Sequence, residues 1–279
     1  MNITRLFFIF IACFLLTNCK KDYQIEEKEI VKNADELESI KQKQDLIIEE
    51  HLTNALKYNL YSSQRQAEID KGLAKDSTIA YLWQQKAMPL FKQGKYELGM
   101  IYIDKAVEYD RLRYQDYRAF IKCIFAKTYL EAIKDFEDCK ARFGNRYVMD
   151  HTYDFHIALS YLQLNEFEKA EAIFKIDHEK QLAEHGADWL HPVDLFYYGI
   201  SKFELHKYQE AIDLFDLALG IHNKFSDVQY YKVLCLDKLG KFDEADELME
   251  IAEFNGKKGY SFNEDNVIYE RYPYQVRWN

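Results

Sequence analysis

The chain has 279 residues, of which 48% are hydrophobic and 30% charged, a balance that excludes both a disordered polypeptide and one that crosses a membrane many times. Only 10 glycines and 3 prolines occur, too few for a barrel or sandwich built on many tight turns. The formal net charge of -10 excludes a surface designed to neutralise phosphates, and nucleic acid with it.

Residues 1–18 hold a single charge, Arg5, followed by an apolar run from Leu6 to Leu16. The run is well short of the ~20 residues needed to span a bilayer, so a secretory signal is predicted. It ends in Leu16-Thr17-Asn18-Cys19, with Lys20-Lys21-Asp22 next. This segment resembles a bacterial lipoprotein signal, in which the cysteine takes a diacylglycerol and becomes the mature N-terminus. The resemblance implies a signal peptide over 1–18, lipidation at Cys19 and a tether over 19–32 that meets the membrane through its lipid alone. Lys20 in place of Asp after the cysteine implies the outer rather than the inner membrane. An uncleaved anchor, or a plain secretory signal with a coincidental cysteine, is the alternative.

Helices are predicted over 33–79, opened by the capping box Asn33-Ala34-Asp35-Glu36. From residue 80 a pattern recurs: Tyr or Phe, two residues, a small residue, three residues, a bulky one. It is found in KYELGMIYIDKA, TYLEAIKDFEDC, EFEKAEAIFKID, KYQEAIDLFDLA and KFDEADELMEIA. The small residues Gly99, Ala132, Ala170, Ala211 and Ala245 lie 33, 38, 41 and 34 positions apart. A unit of this length is two amphipathic helices that cannot bury their stripes alone and must stack on neighbours. The small residue lets the two helices of a pair approach closely. Tyr96, Tyr129, Phe167, Tyr208 and Phe242 begin each second helix and wedge into the pair, while Ile103, Phe136, Phe174, Phe215 and Met249 fill the seam to the next unit.

The pattern and its period resemble the tetratricopeptide repeat. Preceding helices fit through Trp83, Ala87 and Leu90 in the first unit, where Pro89 predicts a kink, then Phe120 and Cys123, Ala158 and Tyr161, Gly199 and Lys202, Val233 and Leu236. A degraded repeat begins near Leu46, with Arg65 where the small residue belongs. The expected fold is therefore an all-α solenoid of about five to six helical hairpins: a degenerate repeat within 33–79, the main array over 80–255 and an aromatic, extended tail over 256–279. In the family the first helix of each pair lines a concave groove. The resemblance implies ligand-facing positions at Tyr81, Gln84, Tyr114, Tyr117, Phe155, Phe196 and Tyr230, for a protein or peptide partner in the cell envelope. Those rings could equally be core between repeats. The tail, rich in Tyr and with Pro273, either caps the last unit or lies in the groove.

No phosphate loop, GxSxG, HExxH or dinucleotide fingerprint occurs, so a non-catalytic scaffold without cofactor is expected. A receptor for glycan or peptide fragments is the alternative. Beyond the period of 34, the 41-residue interval carries an insertion with His178, His185 and His191, read as a solvated loop in which Gly186 ends a helix rather than as a metal site. Cys123, Cys139 and Cys235 follow no metal spacing and are expected to be buried thiols, a Cys123–Cys139 disulfide being the lesser case.

Overall fold

The structure, a computed structural model, describes residues 35–278. The signal segment, Cys19, the tether and Asn33-Ala34 of the capping box lie outside the described residues. The chain divides into two compact units, one ending at Leu82 and the other starting at Trp83. In the first, helix α1 covers residues 35–55 and α2 runs Ser63–Lys75, its first turn capped where the Arg65 amide donates to Ser62 Oγ. A Cβ added at Gly72 would come within 2.8 Å of Leu82 and 3.2 Å of His51 Cβ, so this glycine sets how closely α2 meets its neighbours. Gln44 on α1 donates to Asp76 at 2.9 Å.

Five helix pairs follow: α3 (Ala80–Phe91), which crosses the division, with α4 (Tyr96–Tyr109); α5 (Arg111–Phe120) with α6 (Tyr129–Phe143); α7 (Tyr153–Gln163) with α8 (Phe167–His185); α9 (Pro192–Glu204) with α10 (Tyr208–Ile221); α11 (Ser226–Lys238) with α12 (Phe242–Lys257). Each second helix begins at the aromatic residue of the repeat pattern. Two residues before each of these aromatics the backbone turns left-handed, at Gly94, Lys127, Asn165, His206 and Gly240. The following amide then returns to a carbonyl of the first helix: Lys95 to Leu90, Glu166 to Tyr161, Lys207 to Lys202 and Lys241 to Leu236, at 2.9–3.0 Å. This hydrogen-bonded stop recurs in every pair. In the second pair the bond spans one residue more, Thr128 to Lys122, because a fully buried π-helical turn over Ile121–Phe125 absorbs the extra residue.

The close crossings are where the small residues stand. Ala132, Ala170 and Ala211 are fully buried, and Cβ atoms added at Gly99 and Gly199 would meet the rings of Phe91 and Phe215 at 2.4 Å. Ala211→Leu should therefore cost ~1–3 kcal/mol in a urea melt, with Ala211→Gly tolerated better; equal stability of Ala211→Leu and wild type would contradict this crossing. The wedge expected of Phe242 is not made. That ring is 63% exposed, since among the described residues no further helix pair follows α12.

The two long intervals are filled differently. In the first, β1 (Tyr147–Val148) pairs antiparallel with β2 (His151–Thr152) around a turn in which Met149 and Asp150 both have positive φ, the geometry of a tight hairpin. In the second, α8 runs on to His185 and stops at Gly186 (φ 84°), followed by a short 3₁₀ turn over Ala187–Trp189. Cys123, Cys139 and Cys235 are free buried thiols. Among the described residues, no helix is long and apolar enough to cross a membrane.

Candidate binding groove

The chain's own C-terminal segment packs against the first helices α9 and α11 and reaches past them to the hairpin and to the first two pairs. After α12 the segment leaves beside the start of α11, where the Ser226 amide donates to the Tyr260 carbonyl at 2.9 Å. Phe262, 5% exposed, inserts among Phe196, Tyr197, Phe225 and Tyr272 with ring centroids 5.1–5.9 Å apart. Glu264 Oε1 then reaches within 3.4 Å of His151 Nε2. The far tip arrives at the first two pairs. Glu270 accepts from Tyr96 Oη and pairs with Lys127 Nζ at 2.7 Å, and Lys92 Nζ sits 4.4 Å over the Tyr269 ring.

From that tip the chain turns back. Tyr197 Oη donates to the Pro273 carbonyl and Tyr274 Oη to Glu204, both at 2.8 Å. Asp227 ties the two limbs together, accepting from Ser261 Oγ at 2.7 Å on the outward limb and from the Val276 amide at 2.6 Å on the return. Burial pushes the Asp227 carboxyl above its usual range despite these donors. Trp278 closes the path against Tyr230 and over Gly256, where a Cβ would lie 2.3 Å from the indole. The tail thus packs on the last pair through Trp278 and on α9 through Phe262 and Pro273.

The expected groove residues divide accordingly. Phe155 is fully buried, stacked on His151 at 4.1 Å and edge-on to Tyr197, so it is core between pairs. Phe196, also fully buried, spans the seam to Phe215 and the tail's Phe262. Tyr114 is buried. Tyr117 is half-buried and its hydroxyl accepts from Gln84, burial pushing its pKa to about 12. Tyr230 is half-buried under Trp278. Tyr81 is half-buried and belongs to the N-terminal unit. The residues that grip the tail, Tyr197, Glu204, Asp227, Tyr96 and Lys127, were not singled out as binding positions by repeat register. Tyr197 is the neighbour of the position that register selects, and Asp227 is an acid in the first turn of its helix, where solvated faces usually put one.

The insertion histidines do not converge. His178 packs on Tyr198 and exposed His185 on Trp189. His191 instead meets His151 of the hairpin, ring centroids 5.0 Å apart, and both adjoin Asp194. His151 Nδ1 lies 2.5 Å from Asp194 Oδ1. Burial alone would depress this imidazole, yet Asp194 and Glu264 hold it up at about 10. His156, stacked on Phe136, is driven down to about 3 by burial and by the charge of His151.

No protein-family profile matches the sequence, and no curated protein matches it. Solved structures do. The chain is similar to PilW, a widely conserved type IV pilus biogenesis factor, at 12% identity and a TM-score of 0.59 over 78% of this chain and 94% of that one. It is similar to PilF of Pseudomonas aeruginosa at 16% identity and a TM-score of 0.56, over 79% and 93% of the two chains. For MamA of Desulfovibrio magneticus RS-1 the figures are 11% identity and a TM-score of 0.54, covering 65% and 97%. The shared feature is the fold: these are tetratricopeptide-repeat proteins, and the described chain is an all-α array of that type.

Proposed function

We propose that this protein is a non-catalytic scaffold that binds a protein or peptide through the inner wall of its repeat array, and that lipid at Cys19 tethers it in the bacterial cell envelope, on the outer rather than the inner membrane. One observation carries the reading. The first helices α9 and α11 hold an aromatic segment of the chain itself, turned back at its tip, through side-chain rings and through bonds to its main chain such as Tyr197 to the Pro273 carbonyl. Backbone-directed bonds of this kind suit an extended peptide, and aromatic anchors dominate such interfaces. The tail then acts as a resident competitor, lowering apparent affinity by the fraction of time it occupies the wall.

The test is capture of crosslinked partners from membranes with wild type, Cys19→Ala and Glu270→Lys. Cys19→Ala should leave the membrane fraction. Glu270→Lys puts like charge against Lys127 and unseats the tip while Phe262 stays packed. It should raise partner recovery about two- to fivefold, the scale of a surface ion pair of up to ~1 kcal/mol. Unchanged recovery with Glu270→Lys would move the binding surface away from the wall, and membrane retention of Cys19→Ala would remove the lipid tether.

A further inference from the structure

Two departures from the repeat period meet in space. The hairpin over Tyr147–Thr152 and the connection after α8 belong to successive intervals, and between them opens a cleft of about 550 Å³ whose lining includes Tyr147, Met149, Gln181, Trp189, His191 and Asp194. Two of its lining residues, His191 and Asp194, meet His151: one nitrogen from each histidine and one carboxylate oxygen of Asp194 lie within 4.8 Å of one another. His151 is almost wholly buried, and its Nε2 makes no hydrogen bond of good geometry, Glu264 Oε1 standing off at 3.4 Å. His191 receives the Val193 amide on Nδ1 to cap α9, which leaves its Nε2 for another partner.

The surrounding charge is one-sided. Gln181 bridges Asp194 to Asp177 through contacts of 3.4 and 2.9 Å. Among the described residues, neither lysine nor arginine forms an ion pair with Asp177, Asp194 or Glu264, and the one group that pairs with the last two is the His151 imidazole. Three carboxylates, buried Asp177 and half-buried Asp194 and Glu264, thus gather about the two imidazoles, a setting that suits a dication.

We propose that His151, His191 and Asp194 form a binding site for a divalent late transition metal, zinc above all, with a coordination position open to the cleft. Two imidazoles and one carboxylate are a donor set that suits zinc, and three protein ligands leave a fourth position for water or a ligand group. Tetrahedral coordination at ~2.1 Å places donors about 3.4 Å apart; the three atoms lie within 4.8 Å of one another, and the 2.5 Å His151 Nδ1–Asp194 Oδ1 contact must open for both residues to face one ion, adjustments that side-chain rotation can supply. Both rings would bind the ion as neutral ligands. The cleft lined by Trp189 and Tyr147 then becomes a metal-holding pocket that adjoins the docked tail at Glu264.

The experiment is calorimetric titration of the chelator-treated chain from residue 20 onward with zinc chloride, paired with thermal melts. Wild type should bind one equivalent and melt higher with metal. His191→Asn keeps a side-chain acceptor for the α9 cap but removes the ligand nitrogen, so it should fold, as judged by circular dichroism, and bind at least about tenfold more weakly, the low end of what losing even an outer partner costs. Asp194→Asn should lose the metal-dependent melting shift. Exposed His185→Ala should bind as wild type does. Absence of stoichiometric zinc binding by wild type, binding undiminished in His191→Asn, or binding abolished by His185→Ala would each overturn the site.

Discussion

Phe262→Ala should lower the stability of the repeat array by about 3–5 kcal/mol in a urea melt, the range for removing a buried phenyl ring from a core. The ring lies in the tail, and no helix or strand holds its backbone, yet four aromatic neighbours surround it. Its loss would leave Phe196 and Phe225 facing a hole. Edge-to-face contacts with both add a geometric preference beyond burial. Tyr260→Ala, two residues earlier and 39% exposed, should stay within ~0.5 kcal/mol of wild type. If both substitutions proved equally mild, the tail would not be docked as described, and the wall would be open to solvent.

Asp135→Ala should cost a similar ~3–5 kcal/mol, because it removes the inner carboxylate from two largely buried cations and leaves Arg118 only the exposed Asp104 and Lys122 only the exposed Glu131, 3.6 Å away. The carboxylate accepts from Arg118 Nε at 2.8 Å and Nη2 at 2.7 Å, from Lys122 at 2.8 Å and from Gln115 at 3.2 Å. Burial alone would raise the Asp135 pKa, but Arg118 and Lys122 reverse this and hold the carboxyl below the usual aspartate range. A carboxyl with a depressed folded-state pKa contributes stability that is complete above its unfolded value. That contribution drains away as pH falls through the folded one. Wild type should accordingly lose stability as pH drops below ~4, and Asp135→Asn should show a flatter acid limb there. An identical acid limb in the two proteins would mean that Asp135 does not titrate in this network.

The helix pairs were legible because the spacing of Tyr96, Gly99 and Ile103 and of their counterparts is imposed by the crossing itself: a small residue must stand where backbones approach, and the aromatic must follow the turn. The stop before each second helix was only partly legible. Gly94 and Gly240 announce a left-handed residue, but Lys127, Asn165 and His206 adopt the same conformation without the glycine that would mark it. The groove was least legible. Whether a first-helix ring faces the wall or the seam depends on the rotation between successive pairs, which separates Phe155 and Phe196 from Tyr197 by a single position. The path of the tail has no period at all, and its partners lie far away in sequence, Lys127 being 143 residues from Glu270. His151 escaped notice because it sits in a hairpin that the repeat period treats as mere connection.

The out-and-back course of the tail changes how the array comes apart. In an open solenoid each unit touches only its neighbours, so the terminal units fray first and unfolding spreads inward as a one-dimensional process. Here the segment after α12 is fastened at its tip to Tyr96, Lys127 and Lys92, and at its base to Asp227 and Tyr230. Neither α4 nor α12 can peel away without either pulling those anchors loose or carrying the tail along. The C-terminal segment therefore acts as a drawstring, converting a chain of local equilibria into a more nearly concerted one, and amide protection in α4 and α12 becomes linked although more than a hundred residues separate them.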